Sequence, residues 1–228
     1  MLNRIHAQRG RERTLSLDVG KLELEGTLAI PTIASGIVLF AHGSGSSRHS
    51  PRNQAVARHL QSAGLATLLI DLLTPNEESA DQYTRHLRFD IPMLADRLIA
   101  AVDWLRNEPD TQHLPIGLFG ASTGAAAALI AAASRPMTVH AVVSRGGRPD
   151  LAGDALSQVT APTLLIVGGN DLPVIELNRQ AAQQMRVEPK LKIVLGASHL
   201  FEEPGALEQV ARLAADWFTL HLSAHSAA

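Results

Sequence analysis

Two patterns of hydrophobic and polar positions alternate along most of this chain. Short, largely apolar runs at positions 36–41, 66–70, 115–119, 139–144, 163–167 and 191–195 predict strands, and the continuous run at 36–41 is typical of a strand buried on both faces. Between them lie segments with apolar residues at helical spacing, the clearest of which contains Ile91, Leu94, Leu98, Val102 and Leu105. Strands that alternate with helices predict right-handed crossovers and an α/β fold, in which a mostly parallel sheet has helices on both faces.

The amino-terminal segment has a different pattern. Positions 14–19 and 21–29 alternate apolar and polar residues around Gly20, which predicts two half-exposed antiparallel strands at one edge of the sheet. The sheet would then have about eight strands, within a single domain that spans residues 14–228. Residues 1–13 contain four arginines and are expected to form a basic flexible tail. The stretch between the strand at 139–144 and the strand at 163–168 is too short to hold a large lid domain.

Composition argues against several classes of function. The net charge of −2 gives no reason to expect a nucleic acid or a membrane surface as a partner. The absence of cysteine excludes disulfides, thiolate metal sites and a cysteine nucleophile, and no H-E-x-x-H pattern indicates a metal, so no metal and no cofactor are expected. The sequence lacks both a signal-peptide pattern and an apolar run of the roughly 20 residues that cross a bilayer. A soluble cytoplasmic protein is therefore the default, of unspecified oligomeric state.

One strand-to-helix junction carries a chemical motif. The apolar run at 115–119 leads into Gly120-Ala121-Ser122-Thr123-Gly124 and then into four alanines. This order predicts a nucleophile elbow, a sharp turn whose strained backbone lifts the central side chain clear of the sheet. Glycines flank Ser122 because larger side chains would collide with the neighbouring strand and helix. The motif alone also fits an ordinary turn, so its meaning depends on the other strand ends.

Asp171 and His199 follow two later strands, and the carboxyl ends of parallel strands meet at one edge of the sheet. In this chain order Ser122 is the candidate nucleophile, Asp171 the acid that orients the imidazole, and His199 the general base. Asp71, which also ends a strand, is the alternative acid, although ordering a loop is its simpler role. The simpler role of Asp171 is a helix N-cap, and that of His199 is a solvated loop residue.

Two backbone N–H groups are expected to form an oxyanion hole, which stabilises the negative oxygen of a tetrahedral intermediate. One belongs to Thr123 at the start of the helix. The other is predicted at Ser44, in the glycine-rich loop after the first buried strand, with Gly45 as the alternative. Gly43 and Gly45 would let the backbone of this loop approach the substrate, and His42 is expected to support the loop through hydrogen bonds.

Two arginines on strand-end loops are candidates for substrate binding. Arg145 and Arg48 could each pair with a carboxylate or phosphate of the substrate, or form a salt bridge with a nearby acid. The polar segment from Leu73 to Arg88 is predicted to overhang the site.

These residues together give the chain a family resemblance. It resembles α/β-hydrolases of the dienelactone-hydrolase-like branch, and it is similar to hydrolase domains that are sometimes joined to a phosphoribosyltransferase domain, which this chain lacks. The resemblance runs from about residue 15 to the carboxyl end and implies an α/β-hydrolase fold. The segments that carry it are Phe40–Arg48, Gly120–Gly124, Val143–Asp150, Gly168–Asp171 and Ser198–Glu202.

The expected function is that of a serine hydrolase that cleaves small carboxylic esters through an acyl-enzyme on Ser122. Dienelactone hydrolases proper have a cysteine at the elbow, so a serine there favours ester or acyl-transfer chemistry over the dienelactone substrate. An acyltransferase or thioesterase with the same triad is an alternative. A non-catalytic scaffold that binds a ligand or a partner is another.

Overall fold

Strands β3 to β8 pair in parallel, whereas β2 is antiparallel to both of its neighbours, β1 and β4. The computed structural model describes residues 10–20 and 22–223, and in this part of the chain a single sheet has the order β1-β2-β4-β3-β5-β6-β7-β8. The predicted α/β-hydrolase fold with about eight strands is confirmed. The strands are β1 (Arg11–Val19), β2 (Leu22–Ile30), β3 (Ile37–Ala41), β4 (Ala66–Ile70), β5 (Ile116–Ala121), β6 (Val139–Arg145), β7 (Thr163–Gly168) and β8 (Lys190–Val194).

Helices cover both faces of the sheet. Helices α1 and α6 share an apolar core on one face, and α3, α4 and α5 pack into the core on the other. The alanines at 125–128 in α4 are fully buried, so this helix begins close against the sheet. No helix in the described ranges combines the length and apolar character needed to cross a membrane. The helices are α1 (Pro51–Ser62), α2 (Pro75–Thr84), α3 (Ile91–Asn107), α4 (Thr123–Ser134), α5 (Leu172–Gln184) and α6 (Ala206–Ser223).

The amino-terminal strand begins earlier than the sequence pattern indicates. Residues 11–13 belong to β1, and Arg13 forms ion pairs with Glu108 at 2.6 Å and Asp110 at 3.3 Å. The predicted end of the basic tail at residue 13 is therefore wrong, because cross-strand pairing with β2 extends the ordered backbone through three polar residues. Residues 1–9, the rest of that predicted tail, lie outside the described part.

The polar segment after β4 contains a helix that its low hydrophobicity concealed. Helix α2 begins with a capping box, in which Thr74 and Glu77 each accept a hydrogen bond from the other's backbone. Arg97 of α3 anchors it by donating to Glu77 at 2.6 Å and to the carbonyl of Leu72. The segment lies against the loop at 42–47, with which it encloses a cavity of about 20 Å³. The connection between β6 and β7 is a short 3₁₀ segment, Pro149–Gln158, and no lid is evident in the described residues.

Candidate active site

Ser122 occupies the sharp turn between β5 and α4. Its backbone has φ 50° and ψ −121°, a conformation that L-residues avoid because the Cβ atom collides with the neighbouring carbonyl. Its amide donates to the carbonyl of Arg145 at 3.2 Å, and its own carbonyl accepts from the amide of Arg148. These contacts hold the strained turn, which presents the half-buried serine side chain at the carboxyl edge of the sheet.

The two glycines of the turn are required by close backbone approaches. A Cβ atom at Gly120 would lie 2.4 Å from Cα of Ala125 in α4, and one at Gly124 would lie 2.3 Å from the carbonyl oxygen of Ala41 at the end of β3. The predicted collisions with the helix and the neighbouring strand are thus present in the structure. Because both partners are backbone atoms, neither could turn aside for a larger residue.

Asp171 and His199 are brought together by the ends of β7 and β8. The imidazole Nδ1 of His199 lies 2.6 Å from Oδ2 of Asp171. Asp171 stands at the N-cap position of α5, yet its side chain makes no capping hydrogen bond, so it faces the histidine instead of its own helix. The carboxylate is 14% exposed and the imidazole 39%, which leaves the histidine edge open to a substrate.

Several contacts hold the two loops in this register. Asn170 donates from its side chain to the carbonyl of Gly196 at 2.8 Å, and Glu203 accepts from the amide of Ser198 at 3.0 Å. A Cβ atom at Gly168 would lie 2.4 Å from the carbonyl oxygen of Ser198, so only glycine lets the loops approach so closely. Sequence reasoning missed Asn170 and Glu203, since neither side chain carries a motif of its own.

The histidine lies above the end of β6, the neighbour of the serine strand. The Cβ position of Gly146 is 3.6 Å from Cε1 of His199, and Gly146 directly follows Arg145, to which the Ser122 amide donates. Within the described residues Ser122 Oγ makes no hydrogen bond, so no contact holds its hydroxyl away from the imidazole.

The predicted oxyanion donor at Ser44 is occupied. Its amide donates to Oγ1 of Thr123 at 3.0 Å, so this N–H does not face the substrate directly. The prediction of a free donor at Ser44 is wrong because it considered only the backbone of Thr123 and overlooked its side chain. The close approach of the loop is present: a Cβ atom at Gly43 would lie 3.0 Å from Cβ of Ser122. Gly45 has φ +70°, a left-handed conformation that suits glycine.

His42 supports this loop, as predicted. Its Nε2 accepts from the amide of Leu72 at 2.9 Å, which places the ring proton on Nδ1, 2.9 Å from the carbonyl oxygen of Gly43. Burial lowers the pKa of His42 below its usual value, although the Gly43 carbonyl opposes part of the shift. The neutral ring therefore connects the start of the loop at 42–47 to the segment that follows β4.

Arg48 and Asp71 form an ion pair with each other, and this pair orders the loop that contains Arg48. The Arg48 guanidinium binds the carboxylates of Asp71 and Glu25, and its amide donates to Asp71 at 2.6 Å. Arg48 thus forms the salt bridge that was the alternative to substrate contact: two acids bind its terminal nitrogens, while its buried Nε has no partner among the described residues. Asp71 takes the loop-ordering role that was its simpler interpretation, and no hydrogen bond joins it to His199.

Arg145 is buried without a carboxylate partner in the described part of the chain. Its guanidinium lies 6.0 Å from the ring centroid of Phe201 and makes one long contact, 3.5 Å, with Oδ1 of Asn53, while its Nε has no partner. Burial, with the nearby charge of Arg52, lowers the pKa of Arg145 to about 10. The side chain is thus a cation at neutral pH that lacks a counter-charge.

No group of three or more metal-ligating side chains stands together among the residues placed by the structure.

Comparison with known proteins shows the family of this chain. A model of the dienelactone hydrolase family matches residues 24–223, a range that includes Ser122, Asp171 and His199. The chain belongs to the dienelactone hydrolase family. The solved structure of a dienelactone hydrolase from Anabaena variabilis is 64% identical, with a TM-score of 0.92 over 94% of this chain and 99% of that one.

Two curated relatives extend the comparison. A Mycobacterium tuberculosis protein, provisionally named a phosphoribosyl transferase, is 58% identical over 212 residues, which are 93% of this chain and 47% of that protein. A Bradyrhizobium protein, provisionally named a 2-oxo-3-(5-oxofuran-2-ylidene)propanoate lactonase, is 30% identical over 166 residues, or 65% of this chain and 66% of that one. The chain thus spans about half the length of the M. tuberculosis relative.

Proposed function

We propose that this member of the dienelactone hydrolase family is a serine hydrolase that cleaves small carboxylic esters through an acyl-enzyme on Ser122. The observation that carries the proposal is the 2.6 Å contact between His199 Nδ1 and Asp171 Oδ2, at the same sheet edge as a serine with φ 50°. A serine needs a neighbouring base to become nucleophilic, and the histidine needs an acid to hold its useful tautomer.

The reaction follows from these roles. Ser122 Oγ attacks the ester carbonyl carbon, its proton passes to His199 Nε2, and the carbonyl electron pair moves onto the oxygen. The imidazolium, stabilised by Asp171, then returns the proton to the leaving alcohol as the carbon–oxygen bond breaks. Water, activated by the same histidine, hydrolyses the acyl-enzyme and restores the serine.

The proposal is tested with p-nitrophenyl acetate and a fluorophosphonate probe. We expect a burst of p-nitrophenol equal to the enzyme concentration, followed by turnover, and covalent labelling on the peptide that contains Ser122. Ser122→Ala is the control and should lose both the burst and the label. Absence of burst, turnover and labelling in the natural protein would contradict the proposal and favour a non-catalytic scaffold.

The two enzymatic alternatives differ in the acceptor or in the leaving group. An acyltransferase would transfer the acyl group to an added alcohol or amine in preference to water, and a thioesterase would prefer thioester substrates. Product analysis with added acceptors and a matched ester and thioester distinguishes them. Phosphoribosyl transfer is named for an M. tuberculosis protein about twice as long, and the family match supports the hydrolase assignment for the part spanned here.

Arg145 is our candidate for recognising an anionic group on the ester. Its buried guanidinium has an unpaired Nε and no carboxylate partner among the described residues, next to the Phe201 ring two residues after His199. A charge-assisted hydrogen bond to a buried cation contributes about 1.5–3 kcal/mol. Esters with a carboxylate on the acyl group would therefore bind better than neutral esters of equal length.

We expect Arg145→Met to raise KM for p-nitrophenyl hydrogen succinate about 10–100-fold, and KM for neutral p-nitrophenyl butyrate far less. The matched control is Arg148→Met, since Arg148 already pairs with Asp150 at 2.7 Å and should show no selectivity for the charged ester. Steady-state kinetics with both esters measures the effect. An equal change in KM for the two esters would mean that Arg145 has a structural role only.

A further inference from the structure

The hydroxyl of Thr123 stands where the oxyanion hole is expected. Thr123 is the first residue of α4 and is only 4% exposed, and its Oγ1 accepts the amide proton of Ser44 at 3.0 Å. The side chain of Ser122 makes no capping hydrogen bond to this helix, so it leaves the N–H of Thr123 available to a ligand. The Thr123 hydroxyl thus binds the amide of Ser44, the second backbone donor that the sequence predicts.

A hydroxyl that accepts one hydrogen bond still has its own proton to donate. Among residues 10–20 and 22–223, no acceptor takes the proton of Thr123 Oγ1. This donor is buried beside the nucleophile, where an unused proton is costly unless a ligand accepts it. The expected ligand atom is the oxygen that becomes negative when Ser122 attacks.

We propose that the hydroxyl of Thr123 is a side-chain donor of the oxyanion hole, acting beside the backbone N–H of the same residue. The Ser44 amide then acts through it: Ser44 N–H donates to Thr123 Oγ1, and Thr123 O–H donates to the oxyanion. No proton is transferred along these two hydrogen bonds. Each hydrogen bond polarises the next, which strengthens the final bond as negative charge develops. The inference rests on the proposed serine hydrolase function and assigns a further residue to its reaction.

Three substitutions at one position separate this role from its alternatives. Thr123→Ser keeps the hydroxyl and should keep kcat within a few-fold. Thr123→Val keeps the shape but has no proton to donate, and its methyl group covers the Ser44 amide, so kcat should fall about 10²–10³-fold. Thr123→Ala exposes the Ser44 amide directly, so its kcat should lie between those of Thr123→Ser and Thr123→Val. KM should change little, because the hydrogen bond strengthens only in the transition state.

The affinity for a transition-state analogue gives a readout that a purely structural role would not move. A trifluoromethyl ketone forms a tetrahedral adduct on the serine, and its Ki should rise in Thr123→Val by about the same factor as kcat/KM falls. The matched control is Thr111→Val. Thr111 is also buried, but its hydroxyl donates to the carbonyl of Leu105 at 2.8 Å. Thr111 precedes β5, so it lies at the amino-terminal ends of the parallel strands, away from Ser122. It should lose stability without a comparable change in Ki.

The outcomes are distinct. If natural protein and Thr123→Val have equal kcat, or if Thr123→Ser falls as far as Thr123→Val, the hydroxyl is not a donor and the inference is overturned while the serine hydrolase function stands. If Thr123→Ala is faster than the natural protein, the hydroxyl blocks the hole rather than completing it, which also overturns the inference. If the natural protein neither turns over p-nitrophenyl acetate nor labels at Ser122, both proposals fail together. Thermal unfolding of each variant shows that the fold is retained.

Discussion

Asp171→Asn is expected to lower kcat for p-nitrophenyl acetate about 10⁴-fold while the protein stays folded. In the natural protein Oδ2 of Asp171 accepts a hydrogen bond from Nδ1 of His199 at 2.6 Å, which leaves Nε2 free to take the serine proton. An asparagine amide that donates to Nδ1 forces the proton onto Nε2, and the imidazole then cannot act as a base. The neutral amide also removes the negative charge that stabilises the imidazolium in the transition state.

The matched control is Asp71→Asn, because Asp71 also follows a buried strand and is the other carboxylate that the sequence offers as the acid. Asp71 binds Arg48 and no histidine, so its asparagine variant should retain most of kcat and lose stability instead. Steady-state kinetics and thermal unfolding of both variants measure the two effects. If Asp71→Asn loses as much activity as Asp171→Asn at an unchanged unfolding midpoint, the acid has been assigned to the wrong strand end.

The fold could be read from the sequence because its signals are local and repeat. Most of the parallel strands are short, largely apolar runs with a polar loop at the carboxyl end, and the order of these loops along the chain places Ser122, Asp171 and His199 on one edge. The sequence pattern did not predict helix α2, because this helix is stabilised by a capping box and by an ion pair between Glu77 and Arg97, which are far apart in sequence. An amphipathic stripe, which periodicity detects, is missing there.

The details of the site depend on contacts that no local pattern contains. Arg48 and Arg145 look alike in the sequence, since both follow strands, yet Glu25 and Asp71 bind the first and no acid in the described part reaches the second. The Ser44 amide is likewise occupied through a contact with a residue distant in the sequence, Thr123. The backbone turn at Ser122 follows from the motif, whereas the hydrogen bond between Thr123 Oγ1 and the Ser44 amide joins residues 79 positions apart in the chain.

Gly124→Ala is expected to destabilise the protein by about 3 kcal/mol or more, which lowers the unfolding midpoint by about 6–12 °C in a chain of this size. The added Cβ atom would lie 2.3 Å from the carbonyl oxygen of Ala41 and 2.5 Å from that of His42. These carbonyl groups stand at the start of the loop at 42–47. Relief of the clash would therefore shift that loop and also reduce kcat. Thermal unfolding and turnover of p-nitrophenyl acetate measure the two effects.

The sign of this effect is informative, because two physical arguments oppose each other. Gly124 lies within α4, and replacing a helical glycine by alanine normally stabilises a helix by about 1 kcal/mol. The clash must therefore exceed that gain for the variant to be less stable. Gly20→Ala is a control without a clash, since nothing lies within 4 Å of its added Cβ and only the strain of φ +65° acts, about 1–2 kcal/mol. A Gly124→Ala protein as stable as the natural one would show that α4 can move away from β3, and that the elbow tolerates a looser junction than its backbone contacts imply.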